Sequence, residues 1–235
     1  MVTTSTTDGG PGAAALGDEA PVALELDGRA FLPELTALLH QGCDQAEDGR
    51  HAAALLLRLS NPGVWRDNSG IHEVNRWERA VRRFELLGAL TVCTVDGTCG
   101  GAALDVFLAA DRRIAGSGLR IMLHDRHGMP WPGMTLYRLA HQAGAAQARR
   151  LLLGGDGPDA EAALALGLVD EISDDPARAE AVLGELGRVR STELAICRRL
   201  LLEAMTTSYE DAIGPHLAAC DRSLRGRGQA GEPAL

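Results

Sequence analysis

VDGTCGGAALDVFLAAD, residues 95–111, decides how this chain is read. Ala89–Val95 (ALTVCTV) is a short run rich in β-branched residues, which predicts a strand. Asp96-Gly97 ends it, and Gly100-Gly101 opens an apolar helix over Ala102–Ala110. A strand, a glycine turn and a helix in direct succession leave unpaired backbone N–H groups around Gly100–Ala103. Such a helix start suits an anion or a developing oxyanion. The same glycines also serve a tight turn that needs only φ > 0 and close packing. The order is not G-x-G-x-x-G, so this is not a dinucleotide fingerprint. Cys99 follows the strand where a nucleophile could stand, but no His–acid pair accompanies it, and it reads as a small buried residue.

Working outward, Val22–Leu26 alternates as a strand does, and Leu32, Leu35, Leu38 and Leu39 have helical spacing. Ala52–Leu59 reads as a buried strand, Ser60–Gly70 as a loop, and Ile71–Leu87 as an amphipathic helix carrying Val74, Trp77, Val81 and Phe84. Strands follow near Arg113 and at Leu119–Leu123, then a loop at 126–133. Helices are expected at 134–152, 159–166, 176–188 and 191–205. Strands alternating with helices give an α/β class. The expected division is a disordered tail over 1–20, a core domain over 21–190, a helical C-terminal part over 191–224 and a flexible tail over 225–235.

The composition excludes several functions. The 235 residues are 46% hydrophobic and only 3% aromatic, so one sizeable core must rest on Ala, Leu, Val and Ile. A net charge of −9 argues against a nucleic-acid partner. All 23 basic residues are Arg, which rules out a Schiff-base, pyridoxal-phosphate or Walker-type lysine. Cys43, Cys93, Cys99, Cys197 and Cys220 show no C-x-x-C spacing, so neither a disulfide framework nor a metal site is expected. No apolar run approaches the ~20 residues of a membrane span. The N-terminus lacks the pattern of a signal peptide, and a cytoplasmic location is the expectation.

In residues 95–111 the chain resembles the crotonase (enoyl-CoA hydratase/isomerase) superfamily. That family's pattern is V-N-G, a run of glycines, a carboxylate and an Asp six positions later. Gly97, Gly101, Asp105 and Asp111 fall at the family spacing. DRRIAGSG (111–118), Pro132-Gly133 and AEAALALGLVDEI (160–172) continue the match in order. The resemblance implies a ClpP/crotonase-like fold of repeated ββα units with a helical C-terminal part. It also implies a coenzyme A thioester as substrate, with no further cofactor. Two backbone N–H groups would hold the thioester oxygen and stabilise an enolate. One of them is Ala102's, beside Gly101, where the family usually has Gly at position 102. Asp105 and Asp125 fall where hydratases carry the Glu pair that exchanges protons with substrate and water. Each also has a structural reading: Asp105 as a buried structural carboxylate, Asp125 as an ion-pair partner of Arg126. His124 and His127 flank the second carboxylate, and Asp111 reads as structural.

Two departures qualify the match. The family's A-G-A-D segment, which supplies the first oxyanion donor, is replaced by SNPGVWRDNSG (60–70). There Trp65 and Arg66 could stack on and pair with the thioester or its nucleotide, or anchor the loop. With no Lys present, Arg198 or Arg199 stands in as the partner of the coenzyme A phosphates. A narrower resemblance, carried by WPGMTLYRL (131–139) and the short ends, is to the B-type accessory proteins of the dihydroxyphenylglycine pathway. It implies work beside a type III polyketide synthase in forming dihydroxyphenylacetyl-CoA. The superfamily further implies a homotrimer or hexamer, with apolar residues 194–205 available for subunit contact. Opposed to an enzyme stands a binding subunit that keeps the fold without the full catalytic geometry. A peptidase of the related Clp-like fold lacks its Ser–His–Asp arrangement.

Overall fold

The computed structural model describes residues 21–48, 54–61, 70–124, 128–155, 157–186 and 191–229. The elements run β1 (Val22–Asp27), α1 (Leu32–Asp48), β2 (Ala54–Ser60), α2 (Ile71–Glu85), β3 (Leu90–Val95), β4 (Thr98–Gly100), α3 (Gly101–Ala109), β5 (Arg112–Ala115), β6 (Arg120–Met122), α4 (Met134–Ala143), α5 (Ala145–Leu153), α6 (Ala160–Ala165), β7 (Glu171–Ile172), α7 (Arg178–Leu186), α8 (Ser191–Ala204) and α9 (Tyr209–Gln229). The main sheet has the order β1-β2-β3-β5-β7, and every neighbouring pair is parallel. Parallel strands covered on both faces should read as continuous apolar runs. β2 does: Leu55, Leu57 and Leu59 join the larger core, while Leu56 faces the other way. On that second face Leu56 meets Val92, Ile114 and the α7 residues Ala179, Val182 and Leu183.

The larger core rests on aliphatic residues from α1, α2 and α3. α1 buries Leu32, Leu35, Leu39, Cys43 and Ala46, one stripe at helical spacing. α2 buries Trp77, Ala80, Val81 and Phe84, and its start is held by Glu73, whose carboxylate accepts the Gly70 N–H at 3.0 Å. α3 is buried at all nine positions.

A second, two-stranded parallel sheet pairs β4 with β6, with Cys99 opposite Ile121 and Gly100 opposite Met122. β4 was expected only as a turn. This pairing brings the start of α3 beside the segment that leaves β6 at Leu123 and His124. Chain 157–158 pins β6 from its other edge. The Ile121 N–H donates to the Pro158 carbonyl at 3.0 Å, and a Cβ at Gly157 would lie 1.5 Å from the Ile121 oxygen.

Two helical expectations are corrected. The single helix over 134–152 is two helices, α4 and α5, broken at Gly144 with φ 81°. A left-handed residue cannot continue a right-handed helix, and glycine adopts that conformation at least cost. Residues 225–229, expected in a flexible tail, are helical: α9 continues through Arg225 to Gln229, aided by an Arg225–Asp221 pair one turn apart.

Candidate active site

β3 delivers the chain to Gly97, β4 carries it three residues further, and α3 starts at once. The N-cap of α3, Gly100, is extended (φ −154°, ψ 177°) and has no side chain to bond the first-turn N–H groups. Gly101 holds a φ of +57°, which favours glycine and aims the following amides together. The N–H of Ala102 stands at the helix start with no intrahelical acceptor, while the Gly101 N–H closes the β4–β6 ladder. The partial positive charge of the Ala102 amide suits a developing oxyanion.

One turn into α3, Asp105 is fully buried. Its Oδ2 accepts the Trp77 indole N–H at 3.2 Å, and its Oδ1 accepts the Thr135 hydroxyl. The Arg138 guanidinium, itself buried, lies 3.6 Å from Oδ1 and shares its charge with Glu78 at 3.3 Å. Glu85 stands behind it, 3.7 Å from Arg138 Nε. Burial pushes the Asp105 carboxyl up, to about 7, and the Glu78 charge adds to the rise; Thr135, Arg138 and Trp77 oppose it. A carboxyl poised near neutrality takes up and releases protons at physiological pH.

The space at this site is a narrow cavity of about 10 Å³ lined by Gly101, Met122, His124, Trp131, Thr135 and Leu136, among others. A cavity of that size is about what a single water needs. A larger cavity, about 620 Å³, opens at the carboxyl ends of β2, β3 and β5 and shares no residue with it. Its walls carry Glu25, Asp96, Asp174 and Asp175 against Arg58 alone, a balance that disfavours phosphate.

Of the residues singled out in the sequence, Gly101, Ala102 and Asp105 come together as the spacing requires. Asp125, Trp65, Arg66 and His127 lie outside the described residues, as do residues 62–69 of the segment that replaces the family's first oxyanion donor. His124 lines the narrow cavity.

Arg198, expected as a phosphate partner, is bonded within the protein. Its guanidinium pairs with Asp111 and donates to the carbonyls of Leu87, Ala89 and Glu85, the last at 2.7 Å. These bonds tie α8 to the ends of α2 and α3.

Four residues of the site escaped the sequence reading as polar partners: Trp77, Glu78, Thr135 and Arg138. Arg138 had a signal, since it shares the buried stripe of α4 with Thr135 and Leu139. A charged residue on an apolar stripe is seldom fully buried unless paired.

No protein-family model matches the chain. An enoyl-CoA hydratase of Amycolatopsis orientalis is 47% identical over 210 residues, which span 86% of this chain and 95% of that protein. A probable enoyl-CoA hydratase of Mycobacterium avium is 42% identical over 83 residues, 35% of this chain and 32% of that protein. Among solved structures, an enoyl-CoA hydratase/isomerase from Cupriavidus metallidurans superposes with a TM-score of 0.74 at 23% identity, covering 86% of this chain and 84% of that one. An enoyl-CoA hydratase from Polaromonas also gives 0.74 at 19% identity, covering 90% and 93%.

Proposed function

The chain belongs to the crotonase (enoyl-CoA hydratase/isomerase) superfamily, and from that premise we propose that it adds water to, or removes it from, an acyl chain carried as a coenzyme A thioester. The observation that carries this reading is the buried Asp105, its carboxyl raised to about 7, one turn from the uncapped start of α3. The N–H of Ala102 at that helix start is assigned to the enolate oxygen, and charge there is stabilised most where water is excluded. Asp105 exchanges the proton on one side of the reaction. Asp125, at the family's second carboxylate position, is assigned the other proton. Coenzyme A enters as part of the substrate, and the chemistry needs no further cofactor.

The finer reading places the substrate in secondary metabolism. The acyl group is polyketide-derived, and the protein assists a type III synthase in forming dihydroxyphenylacetyl-CoA. Support comes from the resemblance in residues 131–139. A subunit that binds and stimulates the synthase without turnover is the second reading. It is favoured by Asp105 having both oxygens already bonded inside the protein.

Assembly as a homotrimer or hexamer is proposed from the C-terminal helices. Leu201, Met205, Tyr209, Leu217 and Leu224 are each more than 60% exposed along α8, α9 and their connection. A stripe of that kind is costly to leave in water. Among the described residues no helix is long and apolar enough to cross a membrane.

Mass spectrometry of coenzyme A thioesters tests the proposal. The purified protein with crotonyl-CoA should give a product one water heavier. A product that changes only when a type III synthase and malonyl-CoA are present would replace the first reading with the second.

A further inference from the structure

Asp105 has no exposed surface and does not line the cavity; Thr135 does, and its hydroxyl bonds the carboxylate directly behind it. In this arrangement a water in the cavity meets Thr135 before it can meet Asp105. We propose that Thr135 is a catalytic residue of this chain, passing a proton between the cavity and Asp105, so that the carboxylate works one atom removed from the substrate. The inference rests on the hydratase reading above.

Three features of the site support a relay. Asp is one methylene shorter than Glu, and the shorter side chain stays within the wall. The Thr135 hydroxyl lies in the first turn of α4 and is turned on Asp105. Mid-helix Thr more often bonds a carbonyl one turn back, as Thr36 does with Leu32. Finally, Trp77 bonds the other oxygen, Oδ2, and of the three side chains that hold Asp105 only Thr135 lines the cavity.

In the hydration direction the oxygen of a water bonds the β-carbon of the enoyl thioester as one of its O–H bonds breaks. Thr135 Oγ takes that proton and gives its own to Asp105 Oδ1, so the hydroxyl is regenerated and Asp105 ends neutral. The electron pair of the C=C bond moves to the thioester enolate, held at the Ala102 amide. The α-carbon then receives its proton from the second carboxylate. Dehydration is the same sequence reversed. The charged and titratable groups around Asp105 are Glu78 on α2, Arg138 on α4 and Cys99 on β4, with His124 across the cavity.

The test is hydration of crotonyl-CoA by the full chain and by Thr135→Val and Thr135→Ser, with melting curves run alongside. Thr135→Val keeps the shape and removes the hydroxyl. It should lose about 100-fold or more in kcat, while Thr135→Ser stays within about 10-fold of the parent. In mixed H₂O/D₂O the parent rate should fall along a curve, because two protons move in one step. The pH–rate limb near 7 should disappear in Thr135→Val and survive in His124→Gln, since an imidazole also lines the cavity. A parent that turns over while folded Thr135→Val matches it in rate and pH profile overturns the relay alone. A straight-line isotope dependence also overturns it. A parent that hydrates nothing overturns the relay and the hydratase reading together.

Discussion

Helix α3 has an aspartate near each end, and the two are held in opposite ways. Asp111, just past the last turn, is partly exposed. It takes the Thr91 N–H at 2.9 Å and the Thr91 hydroxyl at 2.8 Å, and pairs with Arg198. Asp105, in the second turn, is fully buried, and its nearest cation, Arg138, is shared with Glu78. Burial, with the Glu78 charge beside it, raises the Asp105 carboxyl to about 7. The same side chain thus ties the chain together just past the helix and lies desolvated in its middle.

The sharpest way to break this contrast is Asp105→Asn. Turnover of crotonyl-CoA should fall by about 10²–10⁴ while the protein still melts cooperatively; loss of less than threefold would show that the buried carboxylate is structural. The second test is Asp111→Asn, which strands Arg198 and Thr91. It should cost about 3 kcal/mol and lower the melting temperature by about 10 °C, with turnover per folded molecule unchanged. Arg198→Met should likewise lower stability and leave the affinity for crotonyl-CoA within about twofold. A tenfold loss of affinity would restore Arg198 to the thioester site.

A third, smaller effect follows from pH. Below about 4 Asp105 is protonated both folded and unfolded. Between about 4 and 7 the unfolded chain releases that proton and the folded chain keeps it, so stability falls as pH rises through this window and levels off above it. Melting temperature should therefore decline by several degrees from pH 4 to pH 7, and the decline should flatten in Asp105→Asn. The smallest effect is expected from Ala102→Gly. Removing the methyl beside the oxyanion amide should raise kcat by no more than about fivefold, at a stability cost of about 0.5–1 kcal/mol.

How much of this was legible depended on whether the partners lie close in sequence. The α3 start, Asp105 and Asp111 sit within one stretch of residues 95–111, so spacing alone placed them. β2 was also legible, because burial on two faces writes an unbroken run of Leu. The partners of Asp105 were not. Trp77 comes from α2 and Thr135 and Arg138 from α4, 28 and 30–33 positions away, and each fits an ordinary helical stripe. Only packing of the two helices across α3 shows that their polar atoms converge. The bonds of Arg198 were hidden for a similar reason, since Asp111 and the three carbonyls around it come from distant parts of the chain. The break at Gly144 was a single glycine between alanines, and composition gave no sign of its left-handed backbone.

The close approach at Gly157 bears on how such a protein can change over generations. A side chain at that position would overlap the carbonyl of Ile121, so the strand that leads to His124 is locked against any drift at this point. Change at the cavity wall therefore falls to side chains such as Met122 and Leu136, because the backbone that presents them has no room to shift here.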